Sequence, residues 1–352
     1  MNIAIFIPSL RQGGAEKQAA LLAATLSKYY NVDMFLLYGD ASMSPQNRAL
    51  LDRTTVNLHL MRGNILSKAI RLRKLLKDRK IDILFNYLTS CDVIGAIAGR
   101  LAGVDRIYSG IRNTRLERHK LIVDRVIHNH IVTASIHNSY SGATYFATKG
   151  FNDKKNIVIP NGFVDISEPI IRDDRDIKHI VTVGRFVPQK DFKTMIETIS
   201  KLQDIRQDFV MDIVGYGVEE YNIRKWIEEF KVNNCVNIYI RPDNVQDILR
   251  NADIYLSTSL FEGTSNSIME ALNWSLPIVA TNVGDNDCLV ASGDNGMIHA
   301  KGDASGMAHS LSMLLDSIDL RNEYGVCGNK RLRTNYSMQI FEERYMSLIG
   351  NI

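Results

Sequence analysis

The chain of 352 residues lacks most of what would commit it to a membrane, a metal or a disulfide framework. No apolar run approaches the roughly 18 residues needed to span a bilayer, and the opening MNIAIFIPSL has no basic stretch and meets Arg11 and Lys17 too early for a secretory signal. The sequence therefore reads as that of a cytoplasmic protein. Its four cysteines, Cys91, Cys235, Cys288 and Cys327, are scattered singly with no CxxC pair, which fits a reducing compartment and argues against structural zinc. Neither domain's first loop offers GxGxxG with an acid about 20 residues on, which disfavours a nicotinamide dehydrogenase, and the loop at 9–20 lacks the Walker Lys-Ser/Thr. Low-complexity tracts and interleaved aromatic and basic residues are also missing, so nucleic acid is not an expected partner.

What is there has globular proportions, 45% hydrophobic and 23% charged, at a length beyond which one core normally stops growing. Two domains are expected. The net charge of +3 hides an asymmetry: residues 1–165 hold 23 Lys+Arg against 12 Asp+Glu, and the remainder 19 against 27. The densest basic stretch, RGNILSKAIRLRKLLKDRK (62–80), sets Ile65, Ile70, Leu72, Leu75 and Leu76 at approximately helical spacing among eight cations. A basic amphipathic helix can dock on anionic lipid, and the same pattern also fits a helix that merely covers a sheet.

Apolar runs of strand length alternate with helical-period segments throughout. IAIFI (3–7), VDMFLL (32–37), DILFN (82–86), RIYSG (106–110), IVTAS (131–135) and NIVIP (156–160) make a first series. HIVTVG (179–184), FVMDIVG (209–215), NIYI (237–240), DIYLST (253–258) and PIVAT (277–281) make a second. Such alternation predicts parallel sheets with crossover helices. The expected fold class is α/β, two doubly wound, Rossmann-like domains over 1–165 and 172–335. A linker is expected at about 162–176, and a C-terminal helix in 336–352 that returns to the first domain. Open sheets of this kind bind ligands at their strand carboxyl ends, here expected to face a central cleft.

Three post-strand loops can carry chemistry. In SLRQGGAEKQAA (9–20), Gly13 and Gly14 precede a helix whose terminal amides attract anions, although a plain turn explains them equally well. In VGRFVPQKDFKTMI (183–196), Arg185 and Lys190 follow Gly184 and together suit a pyrophosphate, one by a planar fork and the other as a point charge. In FEGTSNSIMEA (261–271), Glu262 and Glu270 flank a run in which Thr264, Ser265 or Asn266 serves as helix cap. Either carboxylate can accept two hydrogen bonds from adjacent hydroxyls, or Glu270 can be a routine helix-start acid.

The set GGAE, IPNG, VGR followed by K-D, and FEG with a Glu eight positions on and then ALNWSLPIVAT resembles the family 4 group of retaining glycosyltransferases with the GT-B fold. The likeness is strongest over about 157–300 and weak before 130. The resemblance implies that Glu270 binds the ribose of a nucleotide sugar, that Arg185 and Lys190 neutralise the leaving diphosphate, and that Glu262 lies beside the donor sugar. It implies that the Gly13-Gly14 loop closes over the phosphates, and that the amides from Gly263 through Thr264, Ser265 and Asn266 to Ser267 contact sugar and phosphate. One departure stands out: many relatives carry a His after the fifth strand, where this chain has Ile111-Arg112-Asn113, so Arg112 or Asn113 is the expected stand-in. His119 lies too far along, and His128, His130 and His137 read as surface residues.

The implied reaction moves a sugar, by family frequency from a UDP donor, to a hydroxyl of a glycan or lipid-linked glycan in envelope polysaccharide synthesis. No cofactor or metal is expected. The basic first domain suits an anionic acceptor or membrane surface. A nucleotide-sugar epimerase of the same fold and a non-catalytic sugar-nucleotide binder are the alternatives.

Overall fold

A computed structural model of the chain describes residues 1–11, 13–38, 43–112 and 117–350, which divide into two compact units, Met1–Gly162 with Met338–Ile352 and Phe163–Ser337. Among the described residues, the first unit holds β1 (Asn2–Ile7), β2 (Asn31–Leu36), β3 (Asn57–Leu60), β4 (Ile83–Tyr87), β5 (Arg106–Ile111), β6 (Ala134–His137) and β7 (Asn156–Val158). They pair in parallel in the order β3-β2-β1-β4-β5-β6-β7. The second unit holds β8 (Lys178–Arg185), β9 (Phe209–Tyr216), β10 (Val236–Ile240), β11 (Ile254–Ser257), β12 (Ile278–Thr281) and β13 (Gly296–His299), in the order β10-β9-β8-β11-β12-β13. Each sheet is doubly wound, and its order reverses between β1 and β4 or between β8 and β11.

The uninterrupted apolar runs have a direct cause. Ile3 to Ile7 are all buried because helices cover both faces of the sheet, so no residue of β1 alternates out to water. On one face, helices Gly14–Leu26 and Met338–Gly350 enclose Leu22, Leu26, Phe341 and Tyr345. On the other, Leu72, Ala96 and Ile127 from helices Ile65–Asp78, Thr89–Ala102 and Arg118–His130 share a cluster with Phe6 and Leu84.

The edges differ from the sequence expectation. β3 and β13 each pair on one side only, and their short sequences NLHL and GMIH are exposed or half-buried apart from the buried Gly296, so no long apolar run announces them. The sixth strand starts at Ala134 rather than Ile131. The amides of Ile131 and Val132 instead donate to Ile127 O at the end of the preceding helix.

The segment expected as a linker is anchored rather than free. Phe163 N–H donates to Tyr336 O (2.7 Å), Ser167 N–H to Asn273 Oδ1 (2.8 Å) and Ile170 N–H to Ser275 Oγ (3.0 Å), while the Arg172 guanidinium holds the carbonyls of Trp274 (2.6 Å) and Ser275 (2.9 Å). The second compact unit runs from Phe163 to Ser337 and so takes in this segment. Beyond Ser337, helix Met338–Gly350 belongs to the first unit, where Arg106 Nη1 donates to Ile349 O (2.8 Å). Phe341 is 1% exposed in that core, so Phe341→Ala should cost about 3–5 kcal/mol, read as a lower midpoint in thermal or urea denaturation.

Candidate active site

The second unit gathers its polar side chains where the strand order reverses. β8 and β11 are neighbours there, with Val181 opposite Tyr255, and each runs directly into a loop. The two loops are stitched together: Thr258 Oγ1 donates to Lys190 O (2.9 Å) and Asp191 O (3.0 Å), and Leu260 N–H to Gln189 O (2.8 Å). Asp191 takes a left-handed conformation, φ 47°, and caps helix Phe192–Gln203 by accepting from Thr194 N–H at Oδ1 (3.4 Å), while its Oδ2 accepts from Thr194 Oγ1 (2.6 Å). This turn sends Lys190 back across Gly184, where a Cβ would sit 3.3 Å from Lys190 Cε. Glycine at 184 leaves the lysine its path.

Lys190 Nζ meets Glu262 Oε1 at 2.6 Å, with both side chains largely buried. Ser259 Oγ donates to the same oxygen at 2.8 Å, while Oε2 has, among the described residues, a 3.5 Å contact with Gln189 Nε2. The Glu262 backbone is fixed from behind by Gly284, at φ 59°, where a Cβ would lie 2.4 Å from Glu262 O, so that position demands glycine. Asp285 N–H donates to Gly263 O (3.2 Å), and Thr264 Oγ1 to Asp285 Oδ2 (3.3 Å). Ser265 is the cap of helix Asn266–Asn273, accepting from Ile268 N–H at 3.5 Å.

Tyr255 ties this helix to the floor of the site. Its hydroxyl donates to Val183 O (3.1 Å), and burial pushes its pKa up to about 12, with the Glu270 charge adding and the Ser267 hydroxyl opposing. It lines a hollow of about 210 Å³ together with Gly184, Lys190, Ser257, Thr258 and Ser259. The structure thus brings Gly184, Lys190 and Glu262 together, with Ser267 and Glu270 adjoining through Tyr255. Arg185 stands exposed at the end of β8, with no ion pair among the described residues. Sequence reasoning missed Ser259, Gln189 and Gly284. A polar residue just past a strand was the available signal for Ser259, but nothing local marks Gly284.

In the first unit, Gly13 is the extended cap of helix Gly14–Leu26 after β1, and both glycines are exposed. Asn113 lies outside the described residues. Arg112 is held within its own unit: its guanidinium donates to Tyr87 OH (3.1 Å), Tyr345 OH (3.3 Å) and Asn161 Oδ1 (3.3 Å), and it lies over the Tyr87 ring. With Thr89, Asp92 and Asp124 it lines a hollow of about 190 Å³ at the ends of β4 and β5. Burial, then the neighbouring Asp124, pushes the Asp92 carboxyl well up.

Two histidines correct the sequence expectation. His128 and His137 are buried rather than superficial. His128 bridges Ser135 Oγ (2.7 Å) and Asn152 O (3.0 Å), and His137 pairs with Asn156 Oδ1 (3.0 Å). Helix Arg118–His130 turns His128 inward, and His137 sits on a strand covered on both faces. Burial pushes His137 down to about 4. His130 is exposed. Among the described residues no group of three or more His, Cys, Asp or Glu is placed to hold a metal, and no helix is long and apolar enough to cross a membrane.

Burial raises Asp124 from 3.8 to about 6. The folded state then binds this proton more tightly than the unfolded state, so its contribution is lost as pH rises through 3.8 to 6, by about 3 kcal/mol in all. Asp124→Asn, which keeps an acceptor for Thr89 Oγ1 (now 2.9 Å from Asp124 Oδ2), should stabilise the protein more at pH 8 than at pH 5. Melting curves of both proteins at the two pH values check this.

Residues 166–331 match the family described as glycosyl transferases group 1. The lipopolysaccharide core biosynthesis glycosyltransferase LpsE of Rhizobium meliloti is 25% identical over 50% of this chain and 51% of its own length. The UDP-Gal:alpha-D-GlcNAc-diphosphoundecaprenol alpha-1,3-galactosyltransferase of Escherichia coli is 26% identical over 74% of this chain and 73% of its own. Among solved structures, Anabaena HepE in complex with UDP superimposes with a TM-score of 0.85 at 17% identity, covering all of both chains, which shows that the fold is shared.

Proposed function

Since residues 166–331 match the group 1 glycosyl transferase family, we propose that this chain is a retaining glycosyltransferase that moves a hexosyl group from a UDP-sugar to a hydroxyl of a glycan or lipid-linked glycan in polysaccharide synthesis. The single observation that carries the reading is the Lys190–Glu262 pair at the point where β8 and β11 diverge. It puts a cation for a diphosphate and a carboxylate for sugar hydroxyls within one contact of each other. Support for the donor comes from HepE, solved with UDP, and for the acceptor from the Escherichia coli relative, named for a diphosphoundecaprenol-linked sugar. A lipid-linked acceptor places the work at a membrane face, with the basic first unit toward it.

In this reading the acceptor hydroxyl attacks the anomeric carbon from the side on which the UDP is departing. The C1–O bond to the diphosphate breaks, a new C1–O bond forms on the same face, and the acceptor proton passes to the leaving phosphate oxygen. Negative charge develops on that phosphate, where Lys190, Arg185 and the amides at the start of helix Asn266–Asn273 stabilise it. Glu262 accepts sugar hydroxyls through Oε2, the oxygen that its protein partners leave least engaged. Glu270 takes the ribose diol, and Gly263 to Ser267 line the sugar and phosphate. No metal or cofactor enters this scheme.

UDP should raise the melting temperature of the parent chain, and Lys190→Ala should weaken UDP binding by about 10- to 100-fold, as loss of one charge-assisted hydrogen bond requires. Titration calorimetry measures both, and unchanged affinity would remove the clamp assignment. In a screen of UDP-α-sugars, slow hydrolysis of the productive donor should release the α-anomer first, seen by proton NMR. Epimerised donor without nucleotide release would instead identify an epimerase.

A further inference from the structure

Three helices of the first unit, Ile65–Asp78, Thr89–Ala102 and Arg118–His130, pack side by side over one face of the sheet, the middle one against both others. Their inward residues are the buried Leu72, Ala96 and Ile127. Their outward residues are not polar throughout, as a solvated face would be. Leu66 and Ile70 on the first helix, Ile97 and Leu101 on the second, and Ile122 and Val126 on the third are between 45% and 70% exposed. Arg73 Nε donates to Leu101 O (3.1 Å), which sets the aliphatic pairs of the first two helices next to each other.

Charge on this face has almost one sign. The three helices contain nine Lys and Arg against three Asp, and two of those, Asp92 and Asp124, are buried beneath them. Only Asp78 is exposed, and Glu117, at the cap of the third helix, offsets Lys120. None of the three carries a Phe, Tyr or Trp. A protein partner of ordinary chemistry favours a surface rich in aromatics and poor in lysine, and single-stranded nucleic acid favours aromatic stacking platforms. Branched aliphatics ringed by cations match neither. They match the boundary of an anionic bilayer, where the aliphatics enter among the acyl chains and the cations meet lipid phosphates.

We propose that this three-helix face docks the protein on an anionic lipid bilayer, with Leu66, Ile70 and Leu101 entering the interface and Lys74 and Lys77 among the cations that hold its phosphates. The inference deepens the membrane setting proposed above but rests on different residues from the donor site, so the two can fail separately.

The test is flotation of the full chain with vesicles of equimolar phosphatidylglycerol and phosphatidylcholine, beside vesicles of phosphatidylcholine alone, with UDP titration calorimetry on every protein as the independent arm. The parent should float with the anionic vesicles at low salt, at least about tenfold more than with the neutral ones, and should be released as salt rises. Leu66→Ser/Ile70→Ser/Leu101→Ser and, separately, Lys74→Glu/Lys77→Glu should each cut the bound fraction about tenfold while binding UDP like the parent. The substituted side chains are exposed, and melting curves like the parent's report retained folding of the first unit. The inference is overturned if the parent floats with neither vesicle, if it floats equally with both, or if the aliphatic variant floats like the parent. Loss of UDP binding by the parent would count against the donor reading alone.

Discussion

Everything proposed for this protein depends on two loops being held against each other where β8 and β11 part. A parallel sheet whose winding order reverses leaves a gap at the carboxyl ends of two adjacent strands, because their crossover helices lie on opposite faces. The Lys190 loop enters that gap from β8 and the Glu262 loop from β11, and Thr258 bonds the carbonyls that precede the helix after β8. Only with the loops so fastened can a lysine and a glutamate 72 residues apart in sequence meet at 2.6 Å. The pairing also explains how two charged side chains are tolerated largely out of water: each neutralises the other, and Ser259 satisfies the carboxylate further. A bound diphosphate would take over the role Glu262 now plays toward Lys190, freeing the carboxylate for hydroxyls.

Much of this could be read from sequence because parallel strands bury both faces and announce themselves as apolar runs, and because Gly184, Lys190, Glu262 and Ser265 sit at fixed offsets from such runs. The group 1 family match covers residues 166–331, while the shared fold extends over the whole chain. What escaped notice lacks a local signature. β3 and β13 are edge strands, so half their backbone and much of their side-chain surface faces away from the core. Gly284 matters only because the carbonyl of Glu262 folds against it. His128 and His137 look like surface histidines until the fold buries them, His128 between Ser135 Oγ and Asn152 O and His137 beside Asn156 of the neighbouring strand β7. The stretch 162–176 is rich in charge and reads as a linker, yet the amides of Ser167 and Ile170 find partners on the second unit.

The first unit uses the same architecture with a different distribution of charge. Its buried acids, Asp92 and Asp124, lie beneath helices whose outer surfaces are basic and partly aliphatic, so two carboxyls turn inward on the side that also buries Leu72, Ala96 and Ile127, while six aliphatics face out. This inversion costs stability, since burial raises both carboxyl pKa values. A chain selected for stability alone would place those residues the other way round. Arg112 links the hollow beside these acids to the last helix through Tyr345, so the C-terminal segment helps fix the end of β5.

A crystal structure of the protein with UDP is the most direct test of the central claim. The account requires the diphosphate to lie at the carboxyl ends of β8 and β11, hydrogen-bonded to Lys190 Nζ and Arg185, with the ribose hydroxyls on Glu270. A diphosphate bound elsewhere, with Lys190 still closed on Glu262 and Arg185 still turned to solvent, would contradict it.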